Sequence, residues 1–151
     1  MLTTNYIIRK LRASNIDYFT PRDLMALFRL SPIQAYPILR RLKRGKLVAE
    51  IEKGKYFTLG LEPEKILSNP YFLANKILSP SYISFWTALN FYGLTEQVPF
   101  TVFVASTRKK PPVRFGKQNF KYVKIAPRKF FGYERMLYGD LPVLFADREK
   151  A

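Results

Sequence analysis

Thr20-Pro21-Arg22-Asp23-Leu24-Met25-Ala26-Leu27-Phe28-Arg29-Leu30-Ser31-Pro32-Ile33-Gln34 carries the same helix-start signal twice, eleven residues apart. Thr20 and Ser31 are hydroxyl residues that satisfy free N–H groups of a first helical turn. Pro21 and Pro32 stand where a missing N–H costs nothing. Asp23 and Gln34, three residues after each cap, reach back to it. Leu24, Leu27 and Phe28 give the first of these helices one apolar face. Only Arg29 and Leu30 separate that helix from the next cap, which fits the short turn of a helix-turn-helix.

The reading extends outward from there. Upstream, Ile7, Ile8 and Leu11 recur at helical spacing with Arg9, Lys10 and Arg12 between them, so a helix is expected over about Thr4 to Ala13. Tyr18-Phe19 reads as an extended pair. Downstream, Ala35, Leu39 and Leu42, with Ile38 beside them, form the buried stripe of a helix reaching about Arg44. Pro37 removes one of its hydrogen bonds and predicts a kink or a late start. Gly45 ends the helix. Leu47–Glu52 and Lys55–Leu59 then read as two strands joined at Lys53-Gly54. Three helices and a basic hairpin are the order of a winged helix-turn-helix, assigned to residues 1–60.

Gly60-Leu61-Glu62-Pro63-Glu64 reads as the boundary, with a second domain over 61–151. A short helix is expected at Pro70–Ile77. Ser84 is expected to cap another, Phe85–Tyr92, ended by Gly93. On it Phe85, Trp86, Leu89 and Phe91 read as core. Strands follow at Thr101–Ala105 and Phe120–Ile125, and Arg135–Tyr138 pairs with Leu141–Ala146 across Gly139-Asp140. The fold class is therefore α+β: an N-terminal winged helix-turn-helix, then a small α/β domain with mostly antiparallel strands.

The chain holds 26 Lys and Arg against 11 Asp and Glu, a net charge of +15. Both halves share the excess: residues 1–60 have 12 against 4, residues 61–151 have 14 against 7. Such a surface attracts polyanions, nucleic acid first and an anionic membrane second. No basic patch followed by an apolar run opens the chain, and the longest apolar stretch, near Val98–Ala105, is far short of the roughly 20 residues of a membrane helix. A soluble, cytoplasmic protein is expected.

The expected DNA-binding face lies opposite the buried stripe of the third helix: Gln34, Tyr36, Arg40, Arg41, Lys43 and Arg44. Arg can grip a guanine edge with two hydrogen bonds and Gln can do the same to adenine. Lys46 near the helix end and Lys53 and Lys55 in the hairpin suit phosphates. Arg22 and Ser31, at the helix starts, complete the candidate set. The alternatives are a merely solvated basic face, or a winged helix that binds protein. Tyr36 also reads as the exposed end of the core.

In the second domain Arg108, Lys109, Lys110, Arg114, Lys117, Lys121, Lys124, Arg128 and Lys129 crowd one stretch, interleaved with Phe115, Phe120, Tyr122, Phe130 and Phe131. Alternating aromatics read first as the buried face of strands and the cations as the wet face. Arg108, Lys109, Lys110, Arg114 and Lys117 remain candidates for a secondary nucleic-acid contact. An RNA-binding protein that uses this region is the alternative function, since cations beside stacking surfaces suit single strands.

No enzyme is expected, and no cofactor or metal. The chain lacks both Cys and His, which removes thiol chemistry, the commonest general base and the commonest zinc ligands. Gly54-Lys55-Tyr56 and Gly116-Lys117-Gln118 lack the preceding glycine and following hydroxyl of a phosphate loop. Ser84 has no activating base. The acids of the second half are scattered, although Glu134 and Asp140 are candidates to meet across a hairpin.

The stretch Pro80-Ser81-Tyr82-Ile83-Ser84-Phe85-Trp86-Thr87-Ala88-Leu89-Asn90-Phe91-Tyr92-Gly93-Leu94-Thr95-Glu96-Gln97-Val98-Pro99 resembles the signature segment of AbiEi-type antitoxins and related transcriptional regulators. In that family a Tyr-Ile-Ser…Ala-Leu…Gly-Leu…Gln-Val-Pro pattern follows an N-terminal winged helix. Counterparts continue at Thr101–Ala105, Thr107-Arg108-Lys109-Lys110, Lys129-Phe130-Phe131-Gly132 and Leu141–Ala151. The resemblance implies an autorepressor that binds inverted repeats in its own promoter. It also implies an antitoxin that counters a nucleotidyltransferase-like toxin without a stable complex. The family pattern continues past Ala151 with a helix, for which Asp147 would be the cap, so the second domain is expected to be incomplete at its C-terminus. A stand-alone regulator without a toxin is the alternative.

Overall fold

The computed structural model describes residues 2–60, 62–96 and 101–150. The fold is α+β, with helices and largely antiparallel sheets, and it divides into two compact units, Met1–Glu64 and Lys65–Ala151.

The first unit begins with α1 (Thr4–Ala13), β1 (Tyr18–Phe19), α2 (Pro21–Phe28) and α3 (Pro32–Arg44), followed by the hairpin β2 (Val48–Glu52) and β3 (Lys55–Thr58). Both helix-start signals act as read. The Thr20 hydroxyl accepts from Asp23 N–H at 3.2 Å while the Asp23 carboxylate accepts from Thr20 N–H at 2.9 Å. Ser31 and Gln34 form the second capping box. Ile7, Leu11, Phe19, Leu24, Leu39 and Leu42 are buried together, each a side chain whose burial stabilises by about 1.5–3 kcal/mol. The strands lie in the order β1-β3-β2, with Phe19 opposite Tyr56. A further bond, Leu59 N–H to Leu47 C=O at 2.9 Å, carries the hairpin pairing one step beyond the strands proper.

Pro37 neither delays nor divides α3, which starts at Pro32 and runs through it. The missing N–H would have served the carbonyl of Ile33, on the exposed side of the helix, where a carbonyl left without that bond can be solvated. Gly45 follows the helix, but with φ −78°; the left-handed position falls on Lys46 at +57°. The reason is a recurring closure in which an N–H reaches back five residues to a carbonyl. It runs from Ile16 to Leu11 after α1, Leu30 to Met25 after α2 and Leu47 to Leu42 after α3. Each needs a left-handed residue just before the donor, and Asn15, Arg29 and Lys46 supply it. In every case the donor is apolar and returns to the core.

The second unit contains α4 (Pro63–Leu67, which spans the division), α5 (Pro70–Ile77), β4 (Ser81–Ile83), α6 (Phe85–Phe91), β5 (Thr101–Ser106), β6 (Val113–Phe115), β7 (Gln118–Lys124), a 3-10 turn at Pro127–Lys129, β8 (Tyr133–Tyr138) and β9 (Leu141–Ala146). Six strands form one sheet in the order β6-β7-β5-β4-β9-β8. Three junctions are antiparallel; β5–β7 and β4–β9 are parallel. Helix α5 is tied to this sheet by polar side chains. Tyr122 donates to Ala74 C=O at 2.8 Å, and Asn75 bridges Ser81 and Leu144. Asn69 caps α5 through Phe72 N–H and donates to Tyr138 C=O at 2.7 Å.

Helix α6 departs from expectation. Trp86 and Phe91 are 49% and 39% exposed, and Phe85 and Leu89 are only half-buried. The buried side of α6 is Thr87 and Ala88. Thr87 Oγ1 donates to Thr101 C=O and accepts from Phe103 N–H at 2.8 Å, which ties this side of the helix to β5, while the partly exposed Phe91 ring lies 4.6 Å from that of buried Phe145. Ser84 occupies the cap position but its hydroxyl makes no capping bond. Its N–H instead bonds Phe103 C=O, extending β4, and Phe85 turns the chain at φ +55°. Gln97, Val98 and Pro99, the end of the family-like segment, lie outside the described residues. Glu134 does not meet Asp140: it pairs opposite Phe145, whereas Asp140 sits in the turn beyond Tyr138.

Candidate nucleic-acid interface

Helix α3 buries Ala35, Ile38, Leu39 and Leu42 on one side. At about 100° per residue the centre of the opposite face falls on Ile33, Pro37, Arg40 and Arg44. Tyr36 and Lys43 flank this row on one side, Gln34 and Arg41 on the other. All are exposed, Ile33 at 86% and Tyr36 at 48%. Arg40, Arg41, Arg44 and Lys46 form no ion pair among the described residues, so their charge is open to a partner.

Gln34 is used differently from expectation. Its Oε1 accepts from Ser31 N–H at 3.0 Å and from Ser31 Oγ at 3.3 Å. A two-bond grip on adenine needs both the oxygen and the amide nitrogen, and the oxygen is committed to the capping box. Ser31 is committed with it. Arg22 is exposed in the first turn of α2.

The hairpin is braced to α3 by one acid. Glu50 in β2 accepts from Lys43 Nζ of α3 at 3.2 Å and from Gly54 N–H at the hairpin turn at 3.1 Å. The Gly54 N–H, then Lys43, hold its carboxyl below the ordinary range. Nearby, burial and then the Glu50 charge push the Tyr56 phenol up. Glu52 accepts from Tyr18 and pairs with Lys55 at 3.6 Å. Lys43 and Lys55 thus have acid partners, and Lys53 projects exposed from the turn. Nothing in the sequence marked Glu50 as the organiser, because its partners are seven residues upstream and four downstream on different elements.

Beside α3 runs an open groove of about 850 Å³, lined by Leu2, Tyr6, Leu30, Ile33, Pro37 and Arg41 among others. It continues the apolar row of Ile33 and Pro37 toward α1. The exposure of Ile33 was legible in principle, since it is out of phase with the Ala35–Leu42 stripe.

In the second unit the alternation on β7 is as read: Phe120 and Tyr122 are buried, Lys121 and Lys124 exposed. Arg114 pairs opposite Asn119, two residues from Lys121, so Arg114 and Lys121 share one sheet face, with Lys117 in the turn beside them. Lys109 is exposed and Lys110 half-buried. Arg108 donates to Ser79 C=O at 3.0 Å, which anchors part of its guanidinium. Phe131 is 59% exposed, with Lys150 Nζ 3.9 Å from its ring centre. Among the described residues no cluster of acids could hold a metal ion, and no helix is long and apolar enough to cross a membrane. No protein-family model and no curated protein matches the chain.

Proposed function

We propose that this chain is a sequence-specific, double-stranded DNA-binding transcriptional regulator whose first unit works as a winged helix-turn-helix. The observation that carries the reading is the outward face of α3, where Arg40, Arg41 and Arg44 stand exposed with no acid partner among the described residues, on a helix braced from behind by a buried stripe. A major groove admits one helix and offers guanine edges to arginine. The hairpin, held to α3 through Glu50, carries Lys53 to the adjoining backbone. The basic face of the second unit adds a non-specific contact. On this reading the protein is cytoplasmic, not an enzyme, and needs no cofactor. The likeness of residues 80–99 to the AbiEi-type segment supports autorepression at an inverted-repeat operator, and antitoxin action against a nucleotidyltransferase-like toxin without a stable complex.

The test is a gel-shift titration of the protein's own upstream DNA against random duplex. Preference for the former is expected, with affinity falling steeply with salt, by about 0.9 in log–log slope per phosphate neutralised. Arg40→Ala and Arg41→Ala should weaken specific binding more than Lys110→Ala. Equal affinity for both duplexes refutes the reading.

A further inference from the structure

The end of α3 that a groove-reading helix leads with carries no charged side chain between Pro32 and Leu39 and sets an exposed apolar residue at its front. Helix-turn-helix proteins contact base edges mainly through the N-terminal part of the recognition helix. Here that part presents Ile33, Tyr36 and Pro37, and the oxygen of Gln34 is turned back to Ser31. The arginines lie in the C-terminal half. Ile33 is exposed at 86%, more than any other large apolar residue described, on the face opposite the core stripe and in one row with Pro37, Arg40 and Arg44. A lone exposed isoleucine needs no explanation. This one is continuous with Pro37 and bordered by cations that suit a polyanion. The only apolar group on a major-groove base edge is the 5-methyl of thymine.

We infer that Ile33, backed by Pro37, reads a thymine 5-methyl group, and that the preferred half-site pairs this thymine with a guanine gripped by Arg40. The inference rests on the DNA-binding reading and adds the chemistry of its target. Ile33 and Arg40 are separated by about 10 Å along the axis at about 1.5 Å per residue. With the helix along the groove, that spans about three steps of about 3.4 Å, which sets the distance from thymine to guanine.

The test uses the full chain. A preferred duplex is selected from a random pool, and each thymine is then replaced singly by deoxyuridine, which deletes only the methyl. Dissociation constants are read by fluorescence anisotropy. One thymine per half-site should lose about four-fold in affinity, the effect of about one buried methyl group. In Ile33→Ala the same replacement should have no effect, and 5-methylcytosine in place of cytosine at that position should tighten the wild type only. Ile33 is exposed, so the variant retains the core; a thermal melt checks it. A selected duplex in which no thymine responds, or in which Ile33→Ala responds like the wild type, overturns the inference and leaves the DNA-binding reading standing. Failure to enrich any sequence removes that reading, and the inference with it.

Discussion

Replacing Glu50 by alanine adds one positive unit to a surface proposed to bind DNA, and simple charge arithmetic expects tighter binding. Two unit charges about 10 Å apart in a water-like medium interact by about 0.4 kcal/mol. Salt screens this further, so the gain is at most about two-fold. The hydrogen bonds argue the other way. Glu50 holds the hairpin turn through Gly54 N–H and holds Lys43 on α3. Without it the turn is free before binding and must be ordered on the DNA. Fixing one backbone residue costs about 1–2 kcal/mol, so Glu50→Ala should bind about five- to thirty-fold more weakly. Glu50→Gln separates the two effects. It removes the same charge, but its amide oxygen still accepts from Gly54 N–H. Anisotropy titrations on a selected duplex should therefore rank Glu50→Gln at or slightly above wild-type affinity and Glu50→Ala well below it. If Glu50→Ala binds as tightly as Glu50→Gln, the brace does not hold the hairpin for DNA and the argument fails.

Other outcomes follow from the same geometry. Because the Glu50 carboxyl is held below its ordinary 4.5, its contribution to stability is present above that value and lost as pH falls through the depressed one. Urea melts should show a shallower acid loss for Glu50→Gln than for the wild type. Thr20→Ala breaks the first capping box and should cost about 1 kcal/mol in the same assay. Leu42→Ala empties a fully buried position and should cost about 2–5 kcal/mol, with DNA binding lost in proportion to unfolding. Burial, and then Tyr138, push the Tyr71 phenol above its ordinary 10.0, so its neutral form supports the fold below that pH. Stability should fall as pH rises toward the raised value, and the phenolate absorbance of Tyr71→Phe should lack a late-titrating component. A single unshifted tyrosine titration would contradict it.

Helix α1 was legible from the helical spacing of Ile7, Ile8 and Leu11, and α2 and α3 because their starts are written in local chemistry, each capping box spanning only four residues. The ends at Ala13 and Arg44 fall where expected, with Gly45 as the stop after α3. The left-handed step falls on Lys46 instead, because the closing bond is placed by where Leu47 meets the core. Gln34 was assigned to the groove from its face alone, although the sequence also made it the capping partner of Ser31. One side-chain oxygen cannot serve both. In the second unit β4 and β6 escaped notice at three residues each, too short for any period to declare itself. Trp86 misled because size suggests burial, whereas α6 packs through Thr87 and Ala88. Glu50 was invisible because its role exists only once α3 and the hairpin are side by side.

Strand β4 has a consequence for how the second unit comes together in time. Three residues long, it takes β5 on one side and β9 on the other, and Ile83 pairs opposite Phe145. The first side closes within a short stretch of chain; the second waits for a partner some sixty residues later. Strands β8 and β9 form a local hairpin that can assemble alone and dock as a piece. Distant pairing of this kind slows folding, because loop-closure entropy is lost before contacts compensate it. During synthesis the open flank of β4 is therefore an unpaired edge exposing Ile83, available to a neighbouring nascent chain. Conditions that delay the last hairpin should appear as aggregation before they appear as loss of the finished fold.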